Sequence, residues 1–342
     1  MNDGKMKEDA KTTTGKKNST ETADATMDLQ LHVEKLSIDD EQKQLRERVK
    51  SELIKNGYYD EEFCTDEELN RFAKARNFDF KKVYNMLKDA IEWRRKANPQ
   101  SLRPKDVEPE SLTGKTFVAG KDKYGRPVIV MDSGCENSKD HNGKINFLLF
   151  NLEHAKRLME GNVDKWVIFI YLDKFSFFSA PPMKTSLETN RCLMLRYPER
   201  MGHCFLYQPP SLFSMCWKAA SPLIDPRTKK KIHFMNGSFE KGSANDSKLT
   251  DIIGDNWRSL VGVDADYSAT KARGYDHSKY WSNVEKFYST GSPNNLEETK
   301  LDSEAPKMAD GPANPAPTPN LADGPAQPAP SPPGAKLAQA LR

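Results

Sequence analysis

Basic side chains follow an Asp-Pro pair at residues 225–226, and their type and spacing suit phosphate chemistry. They are Arg227, Lys229, Lys230 and Lys231, with Thr228 among them. Proline at 226 predicts that a helix begins here. Free backbone N–H groups at a helix start and multi-donor cations both favour a phosphodiester. A basic run after a turn is also the ordinary composition of a solvated surface, which we favour for Lys229 and Lys230.

The segment that must position this cluster is the apolar stretch directly before it, residues 211–224. It has the length of a helix and carries one charge, Lys218. A helix that is apolar on most faces is usually buried core. Because it lies between a predicted strand and the basic cluster, it also fits the wall or lid of a hydrophobic cavity with cations at its mouth. Its apolar members are Leu212, Phe213, Met215, Cys216, Trp217, Ala219, Ala220, Leu223 and Ile224.

Catalytic signatures fail wherever the sequence comes close to one. A cysteine phosphatase needs Arg six positions after its Cys, and after Cys204 that position is Pro210. Residues 237–242 have the glycine spacing of a P-loop, but Ser243-Ala244 stands where Lys-Ser/Thr is required. The histidines are scattered without metal-ligand spacing, so we expect no metal site and no enzyme.

Composition limits the class of protein further. The chain has 342 residues, 30% of them charged, and a net charge of only +3, which argues against a nucleic-acid binder. Its five cysteines contain no CxxC pair, which fits a reducing cytosol. The N-terminus lacks the apolar core of a signal peptide, and the longest apolar run, 166–172, is too short to span a bilayer.

The pattern of elements predicts two kinds of folded structure. Helical spacing from a cap at Asp39 or Asp40 to residue 55, and over 67–76 and 80–96, indicates a small helical unit. From residue 116 short strands alternate with helices, which predicts an α/β domain with a largely parallel sheet. The expected strands are 116–119, 128–131, 166–172, 204–207 and 232–235, and the expected helices are 142–160, 182–195, 211–224 and 247–253.

Both ends of the chain have compositions typical of disorder. Residues 1–30 contain almost nothing to bury. After about Ser289, a Pro/Ala/Gly pattern at 309–317 recurs nearly intact at 322–330, and such a repeat predicts an extended, mobile tail.

Four blocks together resemble the CRAL-TRIO lipid-binding family, with the yeast-type phosphatidylinositol/phosphatidylcholine transfer proteins nearest. The blocks are 71–79 with the downstream Trp93-Arg94-Arg95, then 122–128, 197–202 and 223–232, in the family's order and spacing. The resemblance covers about residues 40–267. It implies an N-terminal helical subdomain followed by a CRAL-TRIO lipid-binding domain: α/β, with a largely parallel sheet, flanking helices and a hydrophobic pocket closed by a gate helix, here 211–224.

The resemblance also divides the chain and assigns residues. The expected segments are a disordered tail 1–30, the helical subdomain 31–97, the lipid-binding domain 98–267, an extension 268–289 and a disordered repeat tail 290–342. The lipid headgroup would contact Arg76, Arg200, Thr228 and Lys231. The gate helix and pocket would use Leu212, Phe213, Cys216, Trp217 and Ala220.

Alternatives stay open at some of these positions. Arg200 could instead form a structural ion pair with Glu199 or Asp225. A second lipid headgroup would meet Ser176 and Ser179, although two phenylalanines lie between them. Where the family usually has paired glycines near the end of the fold, this sequence keeps one, Gly262.

The resulting hypothesis is a phospholipid-binding and transfer protein that carries phosphatidylinositol, together with an unidentified second lipid, and exchanges it at membrane surfaces. We expect a cytoplasmic, peripherally membrane-associated monomer that uses no cofactor beyond its bound phospholipid and contacts no nucleic acid. The alternatives are a regulatory module that binds a GTPase or kinase through the same fold, and a carrier of sterols, retinoids or tocopherols.

Overall fold

Helices make up the N-terminal part of the chain. In the computed structural model, which describes residues 17–176, 182–268 and 270–290, they are α1 (Lys17–Lys55), α2 (Asp66–Ala75) and α3 (Phe80–Ala97). The chain divides into two compact units, residues 1–92 and 93–342, so that α3 crosses the boundary. Thr65 caps α2, because its Oγ1 accepts a hydrogen bond from the backbone N–H of Glu68 at 3.3 Å.

The start of α1 differs from the prediction. The expected cap at Asp39 or Asp40 is wrong, since the helix is continuous from Lys17 and includes half of the segment predicted to be disordered. The sequence has no Gly or Pro between Lys17 and Lys55, so nothing interrupts helical hydrogen bonding outward from the packed turns around Val49 and Leu53. Residues 1–16 lie outside the described residues, as does the repeat tail from 291 onward.

A five-stranded sheet forms the centre of the second unit. Its strands are β1 (Thr116–Lys121), β2 (Pro127–Asp132), β3 (Trp166–Tyr171), β4 (Met201–Tyr207) and β5 (Ile232–Met235). Their spatial order is their sequence order; β1 and β2 pair antiparallel, and the later pairs are all parallel. The predicted α/β class with a largely parallel sheet is confirmed.

Helices cover both faces of this sheet. They are α4 (Pro104–Ser111), α5 (His141–Arg157), α6 (Met183–Arg191), α7 (Ser211–Ala220), α8 (Pro226–Lys230), α9 (Ala244–Ile252), α10 (Trp257–Val261) and α11 (His277–Thr290). One face packs Val167, Phe169 and Phe205 against Trp257 and Val284. The opposite face carries Ile168, Cys204 and Leu206 in a second cluster with residues of α5.

Helix α7 is shorter than its apolar stretch predicts. It ends at Ala220, and a 3₁₀ turn follows over Ser221–Leu223. Pro222 explains the difference, because it has no N–H to donate back along the helix. Residues 177–181 are outside the described residues. They include Ser179, one of the two serines predicted to contact a second headgroup.

A buried polar cluster joins the end of α3 to α5. Arg94 Nη1 donates to Glu153 Oε1 at 2.9 Å, and the Tyr197 hydroxyl donates to the same oxygen at 2.6 Å. The side chains of Arg94 and Glu153 are only 7% and 5% exposed. Burial alone would raise the pKa of Glu153, but the charges of Arg94 and Lys156 and the hydrogen bonds from Tyr197 and Arg94 together outweigh that effect and lower the pKa. Since the carboxylate is favoured in the fold, the pair stabilises the fold above the ordinary Glu pKa of about 4.3, and this contribution is lost at more acidic pH.

We expect Glu153→Gln to lower the free energy of unfolding by about 3 kcal/mol or more, because it leaves Arg94 buried without a counter-charge. Urea unfolding at neutral pH measures the loss.

Glu160→Gln is the matched control. Glu160 pairs with Lys121 at 2.9 Å, but both side chains are well exposed, and such pairs contribute at most about 1 kcal/mol. Equal losses in the two variants would contradict a special cost for the buried pair.

Candidate functional site

Several apolar side chains on one sheet face are incompletely buried, and the most exposed of those described lies on the edge strand β5. Ile168 on β3 and Leu206 on β4 are 2% and 5% exposed. Further along the same face, Ile170 and Ile232 are only half-buried, and Phe234 on β5 is 37% exposed. Alternation along β5 puts Ile232 and Phe234 on this face, while Met235 packs into the opposite core. The sheet therefore presents apolar surface that its own side chains do not fully bury.

Helix α7 lies against this partly covered surface through aromatic rings. The ring centroids of Trp217 and Phe234 are 5.1 Å apart, and those of Phe213 and Phe234 are 6.3 Å apart. Phe213 also meets Phe175, which follows β3, edge to face at 5.9 Å. Phe213 and Trp217 remain half-buried. Of the predicted gate residues, the structure brings these two together over β5; the side chains of Leu212, Cys216 and Ala220 lie outside the described part.

The predicted headgroup residues Thr228 and Lys231 lie on and after α8, next to β5. The Asp225 carboxylate caps this short helix by accepting from the backbone N–H of Arg227 at 2.8 Å. Burial tends to raise the pKa of Asp225, but this hydrogen bond and the adjacent Arg227 charge lower it overall. Thr228 is half-buried, and its carbonyl oxygen accepts from the backbone N–H of Lys231 at 3.0 Å.

Lys231 has a carboxylate partner that sequence reasoning did not assign to it. Its Nζ lies 3.3 Å from Glu199 Oε2, and both side chains remain about one quarter exposed. Glu199 has a positive φ of 57°, so the turn before β4 holds it in a left-handed conformation that is uncommon for a non-glycine residue. Glu199 belongs to the Tyr-Pro-Glu-Arg block, which in the sequence indicates a partner for Arg200 and not for Lys231.

Arg200 is buried, and its guanidinium bonds to a backbone carbonyl group. Its Nη1 donates to the carbonyl oxygen of Asp164 at 3.2 Å and lies 3.7 Å from Met159 Sδ. The two carboxylates proposed as structural partners pair elsewhere, Glu199 with Lys231 and Asp225 with Arg227. The headgroup role of Arg200 stays a prediction.

Arg76 and the serines complete the predicted set. Arg76 follows the C-terminal end of α2 in the first unit, where its Nη1 donates to the carbonyl oxygen of Ala75 at 3.0 Å and burial lowers its pKa. Ser176 is half-buried just after Phe175, and Ser179 is outside the described residues. The aromatic residues Phe175 and Phe234 were not on the predicted list, although alternation along residues 232–235 could have identified Phe234.

The described residues contain neither a candidate metal site nor a candidate membrane-spanning helix. Within 17–176, 182–268 and 270–290, no cluster of three or more His, Cys, Asp or Glu side chains has the arrangement of a metal site. Over the same ranges, none of the helices combines the length and the apolar character that crossing a bilayer requires.

Comparison with known proteins identifies the domain. Residues 112–253 match the family model described as the CRAL/TRIO domain. A CRAL-TRIO domain-containing protein of Schizosaccharomyces pombe is 26% identical over 64% of this chain and 20% of its own length. The phosphatidylinositol transfer protein PDR17 of Saccharomyces cerevisiae is 24% identical over 63% of this chain and 61% of its own length.

The match to these relatives is partial. A CRAL-TRIO domain-containing protein of Caenorhabditis elegans is 27% identical over 51% of this chain and 26% of its own length. This chain thus spans less than two thirds of each of these relatives. The crystal structure of Sfh5 is similar with a TM-score of 0.47 and 17% identity, over 59% of this chain and 83% of that chain.

Incomplete burial of Phe234 predicts a small cost for its removal. We expect Phe234→Ala to lower the free energy of unfolding by about 1 kcal/mol, because much of its ring already contacts solvent in the folded protein. Urea unfolding gives the value.

Phe205→Ala serves as the comparison, since Phe205 is fully buried on the adjacent strand and its truncation should cost about 3–5 kcal/mol. If Phe234→Ala proved as costly as Phe205→Ala, the surface under α7 would be ordinary core.

Proposed function

We propose that this protein, whose residues 112–253 form a CRAL/TRIO domain, binds phosphatidylinositol with its acyl chains against the apolar face beneath α7, and exchanges it at membrane surfaces. The observation that carries the proposal is the incomplete burial of Ile170, Ile232 and Phe234 on one sheet face, beneath the aromatic residues of α7. An exposed apolar surface next to cationic residues matches the two halves of an anionic phospholipid.

The energetics of acyl chains explain why such a surface permits transfer without an energy source. A diacyl lipid has on the order of 30 methylenes, each worth about 0.8 kcal/mol against water, so release into water costs on the order of 20 kcal/mol. A site as apolar as the bilayer nearly cancels this difference. Exchange then requires only that α7 move aside while the protein touches a membrane.

The headgroup end of the site rests on Thr228 and Lys231. The hydroxyl of Thr228 and the ammonium of Lys231 are donors, and a phosphodiester offers acceptor oxygens with a negative charge. The pair with Glu199 holds the Lys231 ammonium near the start of β4 and keeps it partly accessible. A carboxylate at this position also suits the hydroxyl donors of an inositol ring, so Glu199 and Lys231 together supply both an acceptor and a donor.

Membrane contact is the remaining requirement. Arg227 and Lys230 are exposed beside the site, and basic residues near an anionic surface each contribute about 1 kcal/mol of attraction. The association that we propose is peripheral, and the chemistry needs no catalytic group.

Mass spectrometry of lipids extracted from the native protein tests the proposal directly. We expect phosphatidylinositol among the extracted lipids. Protein purified without any lipid but with a stable protein partner would instead favour the regulatory-module hypothesis. A neutral isoprenoid or sterol in the extract would favour the carrier of another apolar ligand.

The headgroup site has its own test in transfer of labelled phosphatidylinositol between vesicles. We expect the double variant Thr228→Ala/Lys231→Ala to lose about tenfold or more in transfer rate, since a charged hydrogen bond contributes about 1.5–3 kcal/mol. Lys241→Ala, at an exposed position after β5, removes the same charge away from the headgroup residues and should retain most of the activity. Normal transfer by the double variant would refute the headgroup assignment.

A further inference from the structure

Two histidines bridge β4 and the edge strand β5. His203 Nδ1 and His233 Nε2 are 3.0 Å apart, within hydrogen-bond distance, and the rings stack at 5.3 Å between centroids. The ring of Phe205 stacks on His233 at 5.0 Å. Both imidazoles are half-buried. The pair therefore adds a side-chain bond to the backbone ladder that holds β5 in the sheet.

The location of His233 on β5 connects this hydrogen bond to the proposed site. His233 lies between Ile232 and Phe234, whose side chains point to the opposite face, under α7. Lys231 directly precedes the same strand. Strand β5 is four residues long, and among the described strands it pairs only with β4, so this bond adds to a short ladder. Any weakening of the histidine bond acts on the strand that carries both ends of the proposed lipid site.

Charges from three neighbouring elements face the pair. Arg126 and Asp122 come from the β1–β2 turn, Lys231 precedes β5, and Lys248 lies on α9. Asp122 is bound to Arg126 at 2.6 Å, and Lys231 to Glu199 at 3.3 Å. Burial is the largest cause that lowers the pKa of both histidines, and the adjacent cations lower it further; the pKa of His233 falls to about 4.

The protonation state of the two rings decides whether the hydrogen bond between them can form. In the neutral pair, one ring nitrogen donates its proton to the lone pair of the other. One added proton, on an outer nitrogen, leaves that bond intact. When both rings are imidazolium, each facing nitrogen carries a proton, so two donors meet with no acceptor and two like charges lie among cations.

We propose that the His203–His233 pair is a proton-operated latch on β5, which loosens that strand when both rings are protonated and so opens the site under α7. As a regulatory device it rests on the proposed lipid-binding function. Acidification supplies the signal. The bond holds in neutral solution and weakens as the pH falls.

The direction of the pH effect follows from the histidine pKa values. A lowered folded-state pKa means that the neutral form is favoured in the fold, so an opened β5 binds more protons. The latch is complete above the ordinary histidine pKa of about 6.5. For His233 it is lost progressively as the pH falls from there to about 4.

Amide hydrogen exchange of the full-length protein at pH 7, 6 and 5 tests the latch. Protection of β5, after correction for intrinsic exchange rates, should fall on acidification by up to tenfold per pH unit for each proton taken up on opening. The central strand β3 provides the internal reference and should change little. This readout needs no lipid.

Variants identify the groups responsible. His203→Gln and His233→Gln each keep an amide partner for the bond but remove one titrating ring, so each should flatten the pH dependence. The double variant should abolish it, and the exposed His32→Gln on α1 should behave as wild type. Circular dichroism checks folding, and if the double variant does not fold, the two single variants carry the comparison.

Two results would overturn the proposal: pH-independent protection of β5 in the wild type, or an unchanged pH dependence in both single variants. Transfer assays at the same pH values separate this from the proposed function. Absence of phosphatidylinositol transfer at every pH would refute the lipid function without touching the exchange result.

Discussion

Unequal filling of the two faces of the sheet is the constraint on which the rest of the structure depends. One face is closed by large buried side chains, among them Phe169, Phe205 and Trp257, which lock the sheet to α9, α10 and α11. The other face has its own buried cluster around Ile129 and Ile168 but leaves Ile170, Ile232 and Phe234 incompletely covered. Both faces thus stabilise the sheet, and the incompletely covered region is where we propose that lipid binds.

Polar clusters fix the geometry around this open region. Glu153 and Arg94 hold the end of α3 on α5, and Arg273 bridges Asp132 and Asp173 at the carboxyl ends of β2 and β3. Each cluster pairs a buried cation with a carboxylate. Burying these charges costs desolvation free energy, but the pairing fixes the orientation of the two side chains. The described side-chain contacts of α7, by contrast, are aromatic and non-directional. Rigid surroundings beneath an aromatic cover suit the opening that we propose.

Sequence pattern predicted the regular elements well where hydrophobic runs are strong. All five strands were identified within a few residues, and β5 was predicted with its exact bounds. Where the predicted helix bounds were wrong, single residues or their absence explain the difference. Pro222 shortened α7, and the absence of any helix breaker extended α1 far beyond the expected cap. Helices α4, α10 and α11 were missed. Helix α4 starts at a proline in a connector, α10 is only five residues long, and the aromatic residues of α11 pack against partners distant in sequence.

The candidate site was predicted less completely than the fold. Thr228 and Lys231 could be named because a motif block carries them, and Phe213 and Trp217 because they lie in the apolar stretch 211–224. The partners of these residues could not, since pairing of Lys231 with Glu199 joins positions 32 residues apart and depends on a left-handed turn. Partial exposure of Phe234 is likewise a property of packing, and an apolar residue in a strand gives no sign of it.

The brevity of α7 has a consequence for how its displacement would occur. Ten residues span about 15 Å, and helices shorter than about 12 residues are marginal in water by themselves. No side chain caps its first turn, which follows Pro210. Once displaced from Phe234, this segment would lose its helical structure in water, whereas an apolar interface would preserve the helix. The bilayer that receives the cargo would then also act as the template that keeps the detached segment helical.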